Sequence, residues 1–220
     1  ILPITYINSS ASVKARVGEM GGMVCTSSNA YKIIEKGLKS GKKIFFVPDR
    51  CLGQNFAKSL NLKSAVVGDG TDLKEADIIC YNGFCSVHQQ FSVDDIEFYR
   101  EKFPGILVAV HPECDPSVCD KADFVGSTSQ LITYIKNLDP EQKVVVGTEF
   151  NMVNRLRTKN TYILSSTKPE CPTMNETTLE DVYRTLKSIK DDNISKETEI
   201  YVDEETIKWA KVALERMFEV

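Results

Sequence analysis

Residues 106–113 read ILVAVHPE, and this stretch decides the fold. Five apolar residues are followed at once by His111, Pro112 and Glu113. A short run that is apolar at every position indicates a strand buried on both faces, which is typical of parallel sheets. Similar runs alternate with patterns of helical period along almost the whole chain. This alternation predicts an α/β fold in which helices cover both faces of parallel sheets.

Ten segments have the length and composition of strands. They are PITYIN (3–8), GMVCT (22–26), KKIFFVP (42–48), SAVVG (64–68), DIICY (77–81), ILVAVH (106–111), DFVGS (123–127), KVVVGTE (143–149), TYILSS (161–166) and EIYV (199–202). The final stretch, residues 203–218, begins at Asp203, a typical helix-capping residue. One face of this stretch carries Ile207, Ala210, Leu214 and Met217. The spacing predicts an amphipathic helix docked on the rest of the protein.

The composition limits the partners that we expect. The chain has 220 residues, a formal net charge of −4 and 26% charged residues. This balance gives no electrostatic reason to expect nucleic acid or an anionic membrane as a partner. No apolar run reaches the length of a membrane span, and no signal peptide is visible. Seven cysteines without a secretory leader favour a reducing compartment, so we expect a cytoplasmic protein.

The chain contains an internal repeat. Strand, helix, strand, helix, strand and helix follow in the same order from both ILPITYIN and ILVAVHPE, and CSVHQQFSVDDIEFYR then aligns without a gap with CPTMNETTLEDVYRTL. The alignment pairs Tyr6 with His111, Asn8 with Glu113, Ser27 with Thr128, Asn55 with Asn151, and Cys85 with Cys171. We place these residues at the carboxyl ends of strands or on the loops that follow, where parallel α/β sheets bind ligands. The repeat predicts two units, residues 1–85 and 86–171, and a C-terminal helical tail with a short strand, residues 172–220.

Several segments together resemble quinolinate synthases. They are YINSS, CTSSNA, GFCSVHQQF, HPECDPSVCDKADFVGSTSQL, VGTEFNMVNRL and KPECPTMNETTLEDVY, in this order along nearly the whole chain. The resemblance implies three similar αβα domains packed in a triangle around a central cavity. This chain would hold the second and third, which are two homologous three-layer domains of a pseudo-threefold arrangement. A further cysteine and a helix are then expected just upstream of Ile1, in a first domain that this sequence lacks.

The resemblance also implies an activity and a cofactor. The activity is condensation of iminoaspartate with dihydroxyacetone phosphate to quinolinate, the precursor ring of NAD, and an enzyme that oxidises L-aspartate is the expected source of iminoaspartate. Each domain would give one cysteine to a [4Fe–4S] cluster, which leaves one iron free as a Lewis acid for dehydration steps. Cys85 and Cys171 are the implied cluster ligands, and the third cysteine ligand is absent from this chain. We therefore expect the chain to be inactive alone.

The other cysteines have different surroundings in the sequence. Two lie in strand-like apolar runs and three have no matched partner: Cys25 and Cys80, and Cys51, Cys114 and Cys119. We expect the first two to be core residues, while the spacing of Cys114 and Cys119 leaves a metal or redox pair open. A zinc site of Cys-x-x-His type at Cys85 and His88 is short of ligands, because the only other histidine, His111, follows a different strand.

The resemblance also implies the residues of the site. The implied catalytic residues are Tyr6, His111 and Glu113, and the implied substrate-binding residues are Tyr6, Ile7, Asn8, Ser27, His88, His111, Pro112, Glu113 and Thr128. An ionised Glu113 should not face a substrate carboxylate, and it suits the role of a general base. Ser27 and Thr128 are also natural N-caps, and the free N–H groups at such helix starts bind anions. The alternative is a non-catalytic α/β module that binds a small dicarboxylate.

Overall fold

The computed structural model describes residues 1–156, 159–194 and 198–219. These residues form nine strands: β1 (Leu2–Tyr6), β2 (Met23–Cys25), β3 (Ile44–Val47), β4 (Ser64–Val66), β5 (Ile78–Cys80), β6 (Leu107–Val110), β7 (Phe124–Val125), β8 (Val144–Gly147) and β9 (Thr161–Ile163). They also form ten α-helices: α1 (Ala11–Glu19), α2 (Ala30–Lys39), α3 (Arg50–Ser59), α4 (Val93–Lys102), α5 (Pro116–Lys121), α6 (Thr128–Asn137), α7 (Phe150–Leu156), α8 (Pro172–Asn175), α9 (Leu179–Lys190) and α10 (Glu204–Phe218). One turn of 3₁₀-helix spans His88–Gln90. None of the described helices is both long and apolar enough to cross a bilayer.

The first sheet has five parallel strands in the order β2-β1-β3-β5-β4. Successive residues of a strand point to opposite faces, so one strand contacts helices on both sides. Ile4 of β1 packs near Gly37 of α2, whereas Pro3 lies on the opposite side near Val17 of α1. Helices therefore cover both faces of this sheet, and the predicted αβα layering is confirmed for the first unit.

The second sheet has four parallel strands in the order β7-β6-β8-β9. Val108 of β6 packs with Ile96 of α4 on one face, and α5 contributes to the same core. Ala109, the next residue, packs with Leu131 of α6 on the other face, where α7 also contributes. The second unit has the same three layers.

The two units share strand order and helix capping. Four neighbouring strands of the first sheet, β2-β1-β3-β5, match the whole second sheet, and β4 is an extra edge strand. The helices after the two predicted ligand loops, α4 and α9, both begin with a capping box. In α4 the partners are Ser92 and Asp95, and in α9 they are Thr178 and Asp181. These two pairs coincide in the gap-free part of the sequence repeat, which is therefore a repeat of structure as well.

The C-terminal helix α10 completes the core of the first unit. Ala213 is fully buried and Met217 is 8% exposed, and both pack with residues of α1 and β2. The Arg216 guanidinium donates hydrogen bonds of 3.0 Å to the carbonyl oxygens of Gly18 and Gly22. The prediction of a docked amphipathic helix is confirmed, except that Ile207 of the predicted face is 39% exposed.

We expect Gly18→Ala to destabilise the protein. A Cβ atom at Gly18 would lie 2.1 Å from the carbonyl oxygen of Trp209 in α10, so the two helix backbones would have to move apart. Helix propensity alone predicts a gain of about 1 kcal/mol for this change, whereas overpacking costs roughly 1–3 kcal/mol. The free energy of unfolding, measured by urea titration, should therefore fall.

Gly37→Ala in α2 is the matched control for this change. It has the same propensity gain, but its Cβ would meet the terminal methyl group of Ile44 at 2.6 Å, and a side-chain end can move more easily than a backbone. If Gly18→Ala proved as stable as Gly37→Ala, the close packing of α1 on α10 would be contradicted.

The strand predicted at residues 199–202 is wrong. This segment joins neither sheet in the described part of the chain, and Ile200 and Tyr201 are each 85% exposed. Its apolar residues have the composition of a strand, but a strand is stable only when a neighbour pairs with its N–H and C=O groups. In the described part of the chain the segment pairs with none of the edge strands β2, β4, β7 and β9.

Candidate functional site

Buried polar residues lie where the strands of both sheets end. Tyr6 is the last residue of β1, and His111 directly follows β6, where its N–H donates to the Gly147 carbonyl at 3.0 Å. Tyr6 is 9% exposed, His111 3% and Glu113 6%. The Glu113 charge is close enough to Tyr6 to raise the pKa of the phenol. The fold therefore brings strand-end residues of the two units together.

Cys85, His88 and Glu113 form a compact group of possible metal ligands. One donor atom from each side chain lies within 4.8 Å of the other two. His88 and Glu113 are buried and Cys85 is half-buried. Our expectation that a metal site at Cys85 and His88 lacks further ligands is therefore wrong. It counted histidines, and the missing donor is the carboxylate of Glu113, which follows β6 of the second sheet, whereas Cys85 and His88 follow β5 of the first sheet.

His88 is contacted at both ring nitrogens. Nε2 lies 3.2 Å from Thr148 Oγ1, and Nδ1 lies 3.1 Å from Glu113 Oε2. Among the described residues no hydrogen-bond partner is aligned with Nδ1, so the contact with Glu113 acts through charge. Burial lowers the pKa of His88, but the neighbouring Cys85 and Glu113 outweigh burial and raise the pKa to about 9. His88 is therefore an imidazolium at neutral pH.

Glu113 lies between two histidines, of which His88 is protonated and His111 is neutral at neutral pH. Its Oε2 is 3.1 Å from His88 Nδ1 and 3.4 Å from His111 Nδ1. Burial raises the pKa of Glu113, but His88 and His111 together hold that pKa below its ordinary value. The pKa of His111 is lowered to about 4, first by burial and then by the charge of His88, whose ring stacks on it at 4.8 Å. The group thus holds a carboxylate, an imidazolium and a neutral imidazole.

Tyr6 keeps its proton in this environment. Burial, followed by the negative charge of Glu113, raises the pKa of the phenol to about 12, although hydrogen bonding with Ser27 opposes the rise. Ser27 itself is half-buried in the turn before α2. Tyr6 is therefore a buried phenol that can donate a hydrogen bond.

The starts of α2 and α6 differ from the prediction. We predicted Ser27 and Thr128 as N-caps, and both predictions are wrong. Ser127 caps α6, because its Oγ accepts the Gln130 N–H while Gln130 binds back to the Ser127 N–H. Thr128 becomes the first helical residue, and α2 begins only after Asn29. The glutamine at the third helical position selects Ser127 over its neighbour.

The other predicted substrate-binding residues differ in exposure. Ile7 and Asn8 are exposed in the turn after β1, and Thr128 is exposed at the start of α6. Pro112 is buried between His111 and Glu113, and its carbonyl accepts a hydrogen bond from Asn55. Their role toward a substrate stays a prediction.

Thr148 is a site residue that the sequence analysis missed. It directly follows β8, is 4% exposed, and contacts Nε2 of His88. A signal was present, because Thr148 lies in the quoted segment VGTEF at the end of a predicted strand. Threonine is common at the ends of strands without any role in a site, so the residue type of Thr148 alone did not single it out.

The two predicted ligand loops are neighbours. Cys171 follows β9, is half-buried with a free thiol, and has its Sγ 3.2 Å from Thr173 Oγ1. In the same loop the Thr167 hydroxyl donates to Gln90 Oε1 at 3.2 Å, and Gln90 belongs to the turn that follows Cys85. A direct hydrogen bond therefore connects the two loops.

Asn55 of α3 joins the two units behind the site. It is 8% exposed, and its Nδ2 donates to the carbonyl oxygens of Pro112 at 2.8 Å and Cys114 at 2.9 Å. These carbonyls belong to the residues on either side of Glu113. Asn55 therefore holds the backbone that carries the carboxylate.

The pairing of Asn55 with Asn151 is wrong. Asp49 accepts the N–H three residues later at the start of α3, and Glu149 does the same at the start of α7. Counted from these caps, Asn55 corresponds to Arg155 rather than to Asn151. The sequence alignment slipped because the two loops before these helices differ in composition.

We expect Asn55→Ala to lower the free energy of unfolding by about 1–3 kcal/mol, because it leaves the buried Pro112 carbonyl without the Asn55 donor and leaves the Cys114 carbonyl with the weaker Cys119 S–H donor. Asn151→Ala is the control, since among the described residues the Nδ2 of Asn151 contacts the side chains of Glu149 and Asn175, at 3.0 and 3.2 Å. Its unfolding free energy should change by less than about 1 kcal/mol, the usual net value of one hydrogen bond. Equal losses in urea titrations would contradict a special role for Asn55.

The cysteines outside the two loops are protonated thiols. Cys25 and Cys80 are fully buried in the first core, which confirms the prediction. Burial raises the pKa of the Cys114 thiol and raises that of Cys119 to about 12. Both are free, and in the described residues neither belongs to a group of three possible metal ligands. Thiols of raised pKa are poor nucleophiles and poor ligands.

The chain matches one protein family along almost its full length. The family model described as NadA, quinolinate synthetase A protein, matches residues 2–219. The chain belongs to the quinolinate synthase family. The resemblance seen in its motifs is thereby confirmed at the level of the family.

Curated quinolinate synthases are similar to the chain over its whole length. The quinolinate synthase of Helicobacter pylori strain HPAG1 is 56% identical over 224 residues, which cover 99% of this chain and 66% of that protein. Those of Rhodopirellula baltica and Listeria monocytogenes serovar 1/2a are 39% and 41% identical, and the matches cover 100% of this chain and 60% and 63% of those proteins. The chain therefore spans about two thirds of the length of these quinolinate synthases or slightly less.

Proposed function

We propose that this chain provides the second and third units of a quinolinate synthase. The reaction would condense iminoaspartate with dihydroxyacetone phosphate to quinolinate, with loss of water and inorganic phosphate. The observation that carries the proposal is the buried carboxylate of Glu113, held between His88 and His111 and beside the Cys85 thiol. A non-catalytic dicarboxylate-binding module has no need of this combination.

The residues present fit a [4Fe–4S] cluster as far as this chain can supply ligands. Cys85 and Cys171 carry free, half-buried thiols on matched loops that a hydrogen bond connects. Thiolates are the usual ligands of such clusters, and three of them leave one iron open. When bound, the cluster would supply a Lewis acid for loss of water. Cys85 and Cys171 would hold it together with a cysteine from a third unit.

The buried residues suit proton transfer to and from a bound substrate. The pKa of Glu113 is below its ordinary value, so the carboxylate is ionised at neutral pH. It would act as the general base during enolisation and imine formation. His88, which carries a proton at neutral pH, would return one to a leaving oxygen. His111 and Tyr6 remain neutral and would donate or accept hydrogen bonds without adding charge.

The remaining predicted residues would bind the anionic groups of the substrates. Asn8 and the backbone of Ile7 border the site from the first unit, and Thr128 stands at the start of α6 in the second. Ser27 hydrogen-bonds with Tyr6. Hydroxyl, amide and backbone N–H groups suit the two carboxylates of iminoaspartate and the phosphate of the triose, because they donate hydrogen bonds to anions.

Two surfaces of the second unit support a third unit of the same kind. Helix α3 of the first unit packs on α5 of the second unit. Asn55 of α3 contacts the Pro112 carbonyl just before α5, and Lys58 of α3 pairs with Asp120 of α5. Within residues 1–156, 159–194 and 198–219 the matching helix α7 has no such partner, and it borders an open groove of about 650 Å³ together with α6. A third unit could place its own version of α5 in this groove.

The helix after the second ligand loop points to the same arrangement. Helix α4, which follows the Cys85 loop, packs on the sheet of the second unit, where Ile96 is fully buried. The matching helix α9 leaves the Cys171 loop with its apolar side chains in solvent. These are Leu179, Val182, Tyr183, Leu186 and Ile189, which are 85, 44, 59, 62 and 54% exposed. A third sheet would cover them.

The chemistry of the substrates suggests a partner and a compartment. Imines of amino acids hydrolyse in water, so an enzyme that oxidises L-aspartate would have to supply iminoaspartate close to its use. All seven cysteines are free thiols, which suits a reducing compartment, and we place the protein in the cytoplasm.

The test is an anaerobic assay of the full-length protein after reconstitution with iron and sulfide. Iminoaspartate, generated in place from L-aspartate by an oxidase, and dihydroxyacetone phosphate should yield quinolinate, detected by chromatography and mass. Residues 1–220 alone should take up little iron, and addition of the N-terminal unit should restore uptake. Absence of quinolinate with an iron-loaded full-length protein would refute the proposed activity. Equal iron uptake by residues 1–220 and by the full-length protein would refute the need for a third unit.

A further inference from the structure

The loop that carries Cys85 is fastened to the first residue of α3. The Arg50 N–H donates to the Gly83 carbonyl at 2.8 Å, two residues before the cysteine. The Arg50 guanidinium lies 4.8 Å from the centre of the Phe84 ring and also reaches Asn82 Oδ1 at 3.4 Å. The guanidinium also lies 3.4 Å from Gln89 Oε1, so the Arg50 side chain contacts the segment both before and after Cys85, and the Arg50 backbone binds it as well.

The loop that carries Cys171 is fastened to the first residue of α7 in a related way. The Phe150 N–H donates to the Pro169 carbonyl at 3.0 Å, again two residues before the cysteine. The Lys168 ammonium lies 4.5 Å from the centre of the Phe150 ring. The backbone hydrogen bond is the same in both units, and a cation–π pair accompanies it in both.

The polarity of the cation–π pair is reversed between the units. In the first, the helix supplies the cation and the loop supplies the ring. In the second, the helix supplies the ring and the loop supplies the cation. The same type of contact has thus been built from different residues at the same place, which argues against a chance surface contact. A cation over an aromatic face remains attractive in water, although less so than when buried.

We infer that Arg50 and Phe150 are positioning residues that fix the two cysteine loops to their helices. Each contact limits the motion of one cysteine loop. The proposed cluster requires the thiols of the two loops to keep fixed positions relative to each other. The geometry of the contacts does not depend on the proposed function, but their role in holding a cluster rests on it. Loss of either contact should loosen its own loop and leave the other loop unchanged.

The test compares the two thiols within one molecule. In iron-free full-length protein, the alkylation rates of Cys85 and Cys171 by N-ethylmaleimide are followed by peptide mass spectrometry. Arg50→Gln should accelerate alkylation of Cys85 about two- to fivefold, as expected for loss of one exposed cation–π contact together with the 3.4 Å hydrogen bonds to Asn82 and Gln89, and leave Cys171 unchanged. Lys168→Gln should do the converse.

Two further variants separate this contact from general damage. Arg50→Lys retains a cation and should keep the wild-type rate within about twofold, and the pair Arg50→Phe with Asn82→Lys copies the arrangement of the second unit and should restore it. Glu170→Gln removes the 2.7 Å ion pair of Lys168 but leaves the ring contact, so Cys171 should keep its rate. Equal acceleration of both thiols in any single variant, or no acceleration in Arg50→Gln and Lys168→Gln, would overturn the inference.

A second measurement ties the contacts to the cluster. After anaerobic reconstitution, Arg50→Gln and Lys168→Gln should each lose iron to a chelator about two- to fivefold faster than wild type. If wild-type protein takes up no iron, the proposed function fails, while the alkylation rates still decide whether the two contacts hold the loops. Unchanged iron loss in variants whose thiols are alkylated faster would overturn the role toward the cluster.

Discussion

Replacement of Cys85 or Cys171 by serine is expected to abolish iron–sulfur loading of the full-length protein. A hydroxyl at either position removes one of the thiolates that the cluster needs, and two remaining thiolates do not hold it. The visible charge-transfer absorption, the iron and sulfide content and the formation of quinolinate should all fall to background. Each variant should fold normally, because both cysteines are half-buried on loops and contribute little to either core.

Cys119→Ser provides the matched control for these two changes. Cys119 is also half-buried and free, but the repeat gives it no counterpart, and it lies against Asn55 and the His111 carbonyl. This variant should load iron and turn over like wild type. Full iron content in Cys85→Ser or Cys171→Ser, or equal loss in Cys119→Ser, would refute the assignment of the ligands.

Glu113→Gln is expected to lower kcat by about 10²–10⁴-fold, the usual contribution of a general base. The amide has nearly the same shape and can still contact His88 and His111, but it cannot take up a proton. Since the change leaves the hydrogen-bonding surface of the site largely intact, KM should change much less than kcat. Steady-state kinetics of quinolinate formation, measured on protein of matched iron content, would show this difference.

Glu149→Gln tests whether any buried carboxylate at a strand end has this effect. Glu149 is 9% exposed and follows β8, but it serves as the cap of α7 and accepts the Met152 N–H at 3.1 Å. Its replacement should lower stability and leave kcat within a few-fold. A wild-type kcat in Glu113→Gln would exclude Glu113 as the base.

The central strands and the repeat could be predicted because they depend on local pattern. The run from Ile106 to Val110 is apolar at every position, and a strand covered on both faces buries four of its five residues, with Leu107 partly buried. The spacing of Cys85 and Cys171 follows from duplicated loops and helix caps, which leave a trace in the sequence itself. The strand predicted at residues 199–202 failed because a strand must pair with a sheet edge, and composition does not report whether the fold brings a segment to one.

The geometry of the candidate site depends on contacts between units and could not be predicted from local pattern. Glu113, which follows β6 of the second sheet, contacts His88 on the loop after β5 of the first sheet, and Thr148 contacts the same ring from the loop after β8. Nothing in the spacing of these residues encodes their distance. The N-caps were misplaced by one or two positions for a similar reason, since Ser127 is selected by Gln130 rather than by its own residue type.

The docking of α10 has a consequence for biosynthesis. Ala213 and Met217 are translated after every strand of both sheets, yet they complete the core that begins at Leu2. The core residues of the second sheet lie between Phe91 and Leu164, so all of them precede α10. The later unit can therefore fold before α10 is made, and the earlier one waits for α10. The order of folding would be the reverse of the order of synthesis.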